Sequence, residues 1–258
     1  MKSFEILASG VFPENKLKIV HTKSTLSYDE KTSALIERHW KQELRVAKEK
    51  SKLLFNGPIY RLEDYEILED HLIVYVSETN FKQLMGTNFY HPELAEEYGK
   101  SYLSNALALS TFLETGDENF IFVKRSPNVY FGEGLWHLIA GQFSIEKNET
   151  QTLSAFEVLY KELLEEGALI KDDIENCVCL GLIRNTVHFK PELVFYTKTS
   201  LPAKVVTEKI RTARDGYEHE EVAIVHKSEL DVFMNNEKFT SFARGNYFLY
   251  QREFVKYE

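Results

Sequence analysis

Apolar residues near the start of the chain recur at helical spacing and later give way to strand-like runs. Leu35, Ile36, Trp40, Leu44 and Ala47 are separated by charged residues, which predicts an amphipathic helix over residues 28–50. After an Asn-Gly-Pro turn signal at 56–58, the runs IYRLEDYEIL and HLIVYVSET predict a β-hairpin. A second helix is predicted over residues 92–112, ending before the turn Thr-Gly-Asp-Glu at 115–118.

The second half of the chain alternates between the two kinds of segment. Strands are predicted for NFIFVKRS, GLWHLIAG, NCVCLGLIRN, ELVFYTKT and EVAIVH, and helices for residues 154–166, 202–212, 228–234 and 241–252. Interleaved strands and helices indicate an α/β fold whose sheet is covered on both faces. We expect a boundary near residue 115, between an N-terminal α+β region, 1–115, and a second domain, 116–258.

Net charge and the lengths of apolar runs argue against several classes of function. The 258 residues carry a formal net charge of −9, which argues against unspecific nucleic-acid binding. No apolar run reaches the roughly 18 residues of a membrane span, and a glutamate interrupts the apolar start that a signal peptide would need. We therefore expect a cytoplasmic protein without a membrane partner. Cys177 and Cys179 lie two apart in a predicted strand and are interpreted as structural thiols.

Acidic residues are concentrated around one predicted helix. Residues 144–175 contain nine acidic side chains against three basic ones. Glu162, Glu165 and Glu166 share a helix face at the C-terminal end, just before Gly167, where they repel one another and oppose the helix dipole. A divalent cation such as Mg²⁺ would relieve this conflict. A solvated acidic surface is the alternative.

The same helix carries a family resemblance. The run from Lys161 to Leu169, KELLEEGAL, resembles the core of the Nudix box, R-E-U-x-E-E-x-G-U, in which U is a bulky aliphatic residue. The run GLWHLIAG at 134–141 resembles the strand and glycine turn that open the box. Lysine replaces arginine, the final glycine is shifted, and about six extra residues precede the helix. The upstream glutamate of the box has Glu146 and Glu149 as its candidates.

These departures resemble a divergent Nudix branch that includes the mammalian UDP-glucose diphosphatase. Further similar stretches are FNGPIYR at 55–61, Gly-Thr-Asn at 86–88, FIFVKRS at 120–126, GLIRN at 181–185 and His-Glu at 219–220. The resemblance implies a Nudix-type α/β/α sandwich with a mixed sheet, preceded by an N-terminal α+β extension.

Residue roles follow from the resemblance. It implies that Glu162, Glu165 and Glu166 bind Mg²⁺, or Mn²⁺ in its place, with Glu220 as a further catalytic carboxylate. Lys124 and Arg125 are expected to pair with phosphate, and Arg184 and Asn185 to contact nucleotide or sugar. The remaining substrate-binding candidates are Gly86, Thr87, Asn88 and Glu192.

The implied activity is Mg²⁺-dependent hydrolysis of a nucleoside diphosphate-linked substrate. UDP-glucose or UDP-galactose, cleaved to UMP and the sugar 1-phosphate, is the leading expectation. One alternative is a Nudix diphosphatase for ADP-ribose, dinucleotides or coenzyme A. Another is a Nudix-fold module that binds nucleotide without cleaving it, although three clustered carboxylates would serve a pure anion binder poorly. The oligomeric state is left open.

Overall fold

The computed structural model describes residues 3–50, 52–127, 129, 131–145 and 154–255, which build two sheets. The strands are β1 Phe4–Phe12, β2 Leu17–Thr25, β3 Pro58–Leu68, β4 His71–Asn80, β5 Ala108–Glu114, β6 Asn119–Arg125, β7 Trp136–His137, β8 Ile139–Gln142, β9 Ile174–Asn185, β10 Pro191–Thr199 and β11 His219–His226. The helices are α1 Glu30–Glu49, α2 Phe81–Leu84, α3 Leu94–Tyr98, α4 Ala155–Gly167, α5 Ala203–Thr212, α6 Leu230–Asn236 and α7 Ser241–Phe254.

The larger sheet is mixed and has helices on both faces. Its strand order is β1-β9-β10-β5-β6-β11, with β8 paired to β5 and β7 to β6; β10 and β5 run parallel and the other pairs antiparallel. Helices α4 and α5 bury Leu159, Leu163 and Val206 in a first core on one face. Helices α6 and α7 bury Leu230 and Leu249 in a second core on the other. The predicted α/β fold class is confirmed.

The smaller sheet has the order β2-β4-β3 and packs into the first core through Leu72, Val74 and Val76. Its antiparallel pair β3–β4 is the hairpin predicted from the sequence. Helix α1 matches the predicted amphipathic helix. It begins where Asp29 accepts a hydrogen bond from the Thr32 amide at 2.7 Å, a typical N-cap.

The helix predicted over residues 92–112 is wrong. Within that range the structure has the short helix α3 and then the start of strand β5. All seven residues of β5 are buried, and Leu109 and Leu113 pack into the first core while Phe112 packs into the second. A strand buried on both faces shows a continuous apolar run rather than clear alternation, so its sequence resembles that of a buried helix.

Both sides of the expected boundary near residue 115 contribute to the larger sheet. Strand β1 pairs with β9, and β5 lies between β10 and β6. The small sheet is joined to the large one by backbone bonds from the Tyr60 amide to the Phe143 carbonyl, 2.8 Å, and from the Leu107 amide to the Tyr60 carbonyl, 2.9 Å.

The two cysteines and the apolar character of the helices were also considered in the sequence. Cys177 and Cys179 are free thiols whose side chains pack at the same core. Among the described residues, no helix combines the length and apolar character needed to cross a membrane.

Candidate active site

Helix α4 presents the acidic side chains, and its local sequence explains its limits. The Ser154 hydroxyl accepts a hydrogen bond from the Glu157 amide at 3.3 Å and caps the N-terminus. At the other end Ala168 adopts a left-handed conformation, with φ of 50°, and the Leu169 amide bonds to the Leu163 carbonyl at 3.0 Å. The helix therefore ends at Gly167, as expected, although the left-handed position belongs to Ala168.

Glu162 and Glu166 lie against the glycine turn at strand β8. Glu166 is 7% exposed, and its carboxylate accepts a hydrogen bond from the Ala140 amide at 3.3 Å. The Glu162 carboxylate lies over Gly141 so closely that a Cβ there would overlap it. Gly141 therefore leaves the space that this carboxylate occupies.

Burial and mutual repulsion shape the ionisation of this pair. Burial, with the charge of Glu165 as the next cause, raises the pKa of Glu162 to about 8. Burial also raises the pKa of Glu166 well above its usual range, and the charges of Glu162 and Glu218 add to the effect. A cation bound beside these two carboxylates would favour their ionised form and oppose both pKa shifts.

Glu165 is oriented differently from its two neighbours. Its carboxylate pairs with the Arg214 guanidinium at 2.8 Å, and Arg214 also pairs with Asp215 at 2.8 Å. Within the part of the chain that the structure describes, no three His, Cys, Asp or Glu side chains are arranged to hold a metal ion. The structure thus brings Glu162 and Glu166 together and engages Glu165 in an ion pair.

The carboxylate from the acidic run 218–221 that reaches this cluster is Glu218. It is half-buried, its charge raises the pKa of both Glu162 and Glu166, and its own pKa is raised by burial. Glu220, the residue named from the sequence, is exposed and lines a cleft with Ile210 and Arg211. Residues 218–221 are all polar, so no alternation of apolar and polar positions indicated which of them faces inward.

His219 is a second residue of that run that the sequence did not single out as part of the site. Its Nε2 lies 3.6 Å from the Glu166 carboxylate and, among the described residues, has no hydrogen-bond partner. Burial, with the charge of Arg125 as the second cause, lowers its pKa to about 4, so the imidazole is neutral at neutral pH. It extends the cluster along the start of β11.

Arg125, at the end of β6, is the central cation of the site. Its Nε donates a hydrogen bond to the Phe131 carbonyl at 2.7 Å. Its positive charge interacts electrostatically with the carboxylates of Glu166, Glu218 and Glu192. Lys124, the neighbouring candidate, instead pairs with Glu221 at 3.3 Å on the exposed side. Arg125 is therefore the better placed of the two for a phosphate group.

Glu192 lies at the start of β10 in a buried polar pair. Its carboxylate is 3.9 Å from the Lys190 ammonium and accepts a hydrogen bond from the Ser110 hydroxyl. Burial raises the pKa of Glu192 to about 7 and lowers that of Lys190 to about 8. Lys190 was not singled out from the sequence, where a lysine before a proline gives no signal.

The other sequence candidates have structural partners. Arg184 pairs with Glu5 at 3.1 Å, and the Asn185 side chain donates to the Ser241 hydroxyl at 2.6 Å. In the turn Met85–Phe89, Gly86 packs against Ile36, and the Thr87 and Asn88 side chains bond to backbone groups of neighbouring segments. Glu146 and Glu149 lie outside the described residues.

The donor atoms of the cluster are of the type that a hard divalent cation prefers, although the described side chains are not arranged as a three-ligand site. Glu162, Glu166 and Glu218 offer oxygen atoms alone, which Mg²⁺ and Mn²⁺ prefer to nitrogen or sulfur. Their mutual repulsion in a buried position is the feature that a bound cation would relieve.

Known proteins show similarities to this chain. No family model matches it. The curated protein "Nudix hydrolase 9" of Arabidopsis thaliana is 22% identical over 231 aligned residues, covering 77% of this chain and 74% of the relative. The chain is thus similar in sequence to a curated Nudix hydrolase. This similarity agrees with the Nudix resemblance of the motif residues at 161–169.

Solved Nudix structures also resemble the chain. A Nudix hydrolase from Nitrosomonas europaea is 14% identical, covers 57% of this chain and 88% of its own, and gives a TM-score of 0.35. An Ap4A hydrolase from C. elegans is 14% identical, covers 57% of this chain and 94% of its own, and gives a TM-score of 0.36.

Proposed function

We propose that this chain is a Mg²⁺-dependent Nudix-type pyrophosphohydrolase that cleaves the diphosphate of a nucleoside diphosphate-linked substrate. The observation that carries the proposal is the placement of the half-buried Glu162 beside the buried Glu166, with Glu218 close enough to raise the pKa of both. Buried carboxylates without a compensating cation are costly, so this position suits a metal ion and the phosphates that accompany it.

For the substrate we propose UDP-glucose or UDP-galactose, cleaved to UMP and the sugar 1-phosphate. The support is the sequence resemblance to the UDP-glucose diphosphatase branch at 55–61, 86–88, 120–126 and 181–185. Two of these stretches contain Arg125 and Asn185, the last residues of β6 and β9.

Each residue of the site takes a defined role. Glu162 and Glu166 would hold the ion, and Glu165 would join them only if its ion pair with Arg214 opened. When bound, Mg²⁺ neutralises charge on the diphosphate and lowers the pKa of an attacking water. Arg125 binds a phosphate oxygen from a half-buried position, where partial exclusion of water strengthens the guanidinium interaction.

The test is product analysis with UDP-glucose in Mg²⁺, alongside Glu166→Gln and the matched control Glu157→Gln. Glu157 lies on the same helix but is exposed and paired with Lys171 at 3.2 Å. We expect UMP and glucose 1-phosphate from the wild type and the control. Glu166→Gln should lose at least about a hundredfold in rate, because several kcal/mol of charge stabilisation is removed. Chelation by EDTA should abolish turnover, and turnover that survives both changes would overturn the proposal.

One observation favours a second function, a nucleotide-binding module. The engagement of Glu165 by Arg214 leaves two of the three helix carboxylates facing the turn. Binding of UMP without turnover of UDP-glucose, ADP-ribose, a dinucleotide or coenzyme A would select that function. Turnover of ADP-ribose, a dinucleotide or coenzyme A instead of UDP-glucose would support a diphosphatase with a different substrate.

A further inference from the structure

Two phenylalanine rings from separate segments of the chain face each other beside the candidate site. The ring centroids of Phe89 and Phe131 are 3.6 Å apart and the ring planes differ by 7°. Two phenyl rings prefer offset or edge-to-face packing with centroids about 4.5–7 Å apart, since their π faces repel. The parallel overlap of Phe89 and Phe131 is therefore not the geometry expected if the two rings were packed only for their contact with each other.

The position of Phe89 is fixed by the N-terminal half of the chain. It ends the π-helical turn Met85–Phe89, and the adjacent Asn88 side chain donates a hydrogen bond to the His188 carbonyl at 2.7 Å. The His188 ring lies 5.0 Å from that of Phe89, and its buried Nδ1 has no hydrogen-bond partner among the described residues. The turn thus reaches the segment between β9 and β10, at His188, two residues before Lys190 and four before Glu192.

Phe131 belongs to the segment between β6 and β7 and is tied to the centre of the site. Its carbonyl accepts the hydrogen bond from Arg125 Nε at 2.7 Å. The charge of Arg125 acts on Glu166 and Glu218, so a single residue links Phe131 to the carboxylate cluster. Both phenylalanine side chains are half-buried, which leaves part of each ring accessible.

We propose that Phe89 and Phe131 form an aromatic clamp that holds the base of a nucleotide between their faces. This inference rests on the proposed function only in taking the ligand to be a nucleotide. A planar, polar heterocycle inserted between the rings replaces the unfavourable contact of two like π faces with two stacked contacts. The N-terminal region then has a direct part in the site, because it supplies one of the two rings.

Calorimetric binding of UMP, AMP and ribose 5-phosphate in the presence of Mg²⁺ tests the clamp without requiring turnover. Ribose 5-phosphate presents the phosphate and sugar but no base. The variants are Phe89→Leu and Phe131→Leu, which keep an apolar side chain but remove the flat ring, and Phe131→Tyr, which retains the ring. The control is Phe254→Leu, since Phe254 is 42% exposed and packs on Tyr196 and Tyr250.

We expect the nucleotides to bind wild-type protein more tightly than ribose 5-phosphate does. Each leucine variant at the clamp should weaken binding of at least one nucleotide by about ten- to a hundredfold, the usual loss for a base–aromatic stack, and leave ribose 5-phosphate binding unchanged. Phe131→Tyr and Phe254→Leu should bind as the wild type does. Retained ribose 5-phosphate binding shows that a variant is folded.

Three results would overturn the clamp. These are no detectable binding of either nucleotide to the wild type, nucleotide binding no tighter than that of ribose 5-phosphate, and a loss confined to one of the two leucine variants. Base-dependent binding that survives in a protein without hydrolytic activity would count against the proposed enzyme and leave the clamp standing.

Discussion

At the residue scale, neighbouring glutamates in the run 218–221 differ in burial. Glu218 is half-buried and acts electrostatically on Glu162 and Glu166, whereas Glu220 is exposed. We predict that Glu218→Gln lowers the rate of diphosphate hydrolysis by about ten- to a hundredfold, the usual cost of removing a group that supports a metal site. Glu220→Gln should stay within about twofold of the wild type. Initial rates under saturating Mg²⁺ check both, and equal rates for the two variants would contradict this placement.

The sequence could identify the acidic helix face, but not which of its three glutamates face the glycine turn and which one forms an ion pair elsewhere. In an α-helix, Glu166 lies about 40° around the axis from Glu162, and Glu165 lies about 60° away on the other side. A face defined only by spacing includes all three residues. Glu165 pairs with Arg214, which is distant in sequence and follows helix α5, which packs against α4. The spacing of residues along α4 does not reveal a partner that is brought close by tertiary packing.

At the scale of elements, α4 and β8 meet at one close contact. A Cβ at position 141 would overlap the Glu162 carboxylate, and its three nearest atoms all belong to that side chain. We predict that Gly141→Ala destabilises the protein by about 1–3 kcal/mol, the usual cost of overpacking. In a Glu162→Ala background the same substitution should cost almost nothing, because the overlapping group is absent. Urea unfolding of the four proteins gives this double-mutant cycle. Equal costs in both backgrounds would show that the backbone of β8 is the cause.

Elements with a clear period were predictable, and those buried on both faces were not. Helix α1 and the hairpin β3–β4 each have an exposed side, so apolar and polar positions follow the period of the element. Strand β5 is buried throughout and lies inside the sheet, where its neighbours β10 and β6 decide its conformation. Its partners come from later in the chain, so local sequence could not favour a strand over a helix.

At the scale of the whole molecule, the larger sheet depends on strands from both halves of the chain. Strand β5 contributes Leu109 and Leu113 to the first core and Phe112 to the second, and β1 covers the outer edge of β9. Removing residues 1–115 would therefore expose one edge each of β9, β10 and β6 and open both cores. A fragment with such losses cannot bury enough apolar surface to offset its conformational entropy.

We predict that residues 116–258 do not fold when expressed alone. Near-ultraviolet circular dichroism of this fragment should lack the fixed aromatic signals of the full chain, and its thermal unfolding should show no cooperative transition. Co-expression with residues 1–115 should restore both signals, because it returns β1 and β5 to the sheet; this also controls for damage caused by cutting the chain at that turn. A cooperative transition in the isolated fragment, with native-like aromatic signals, would instead establish residue 115 as the border of an independently folding domain.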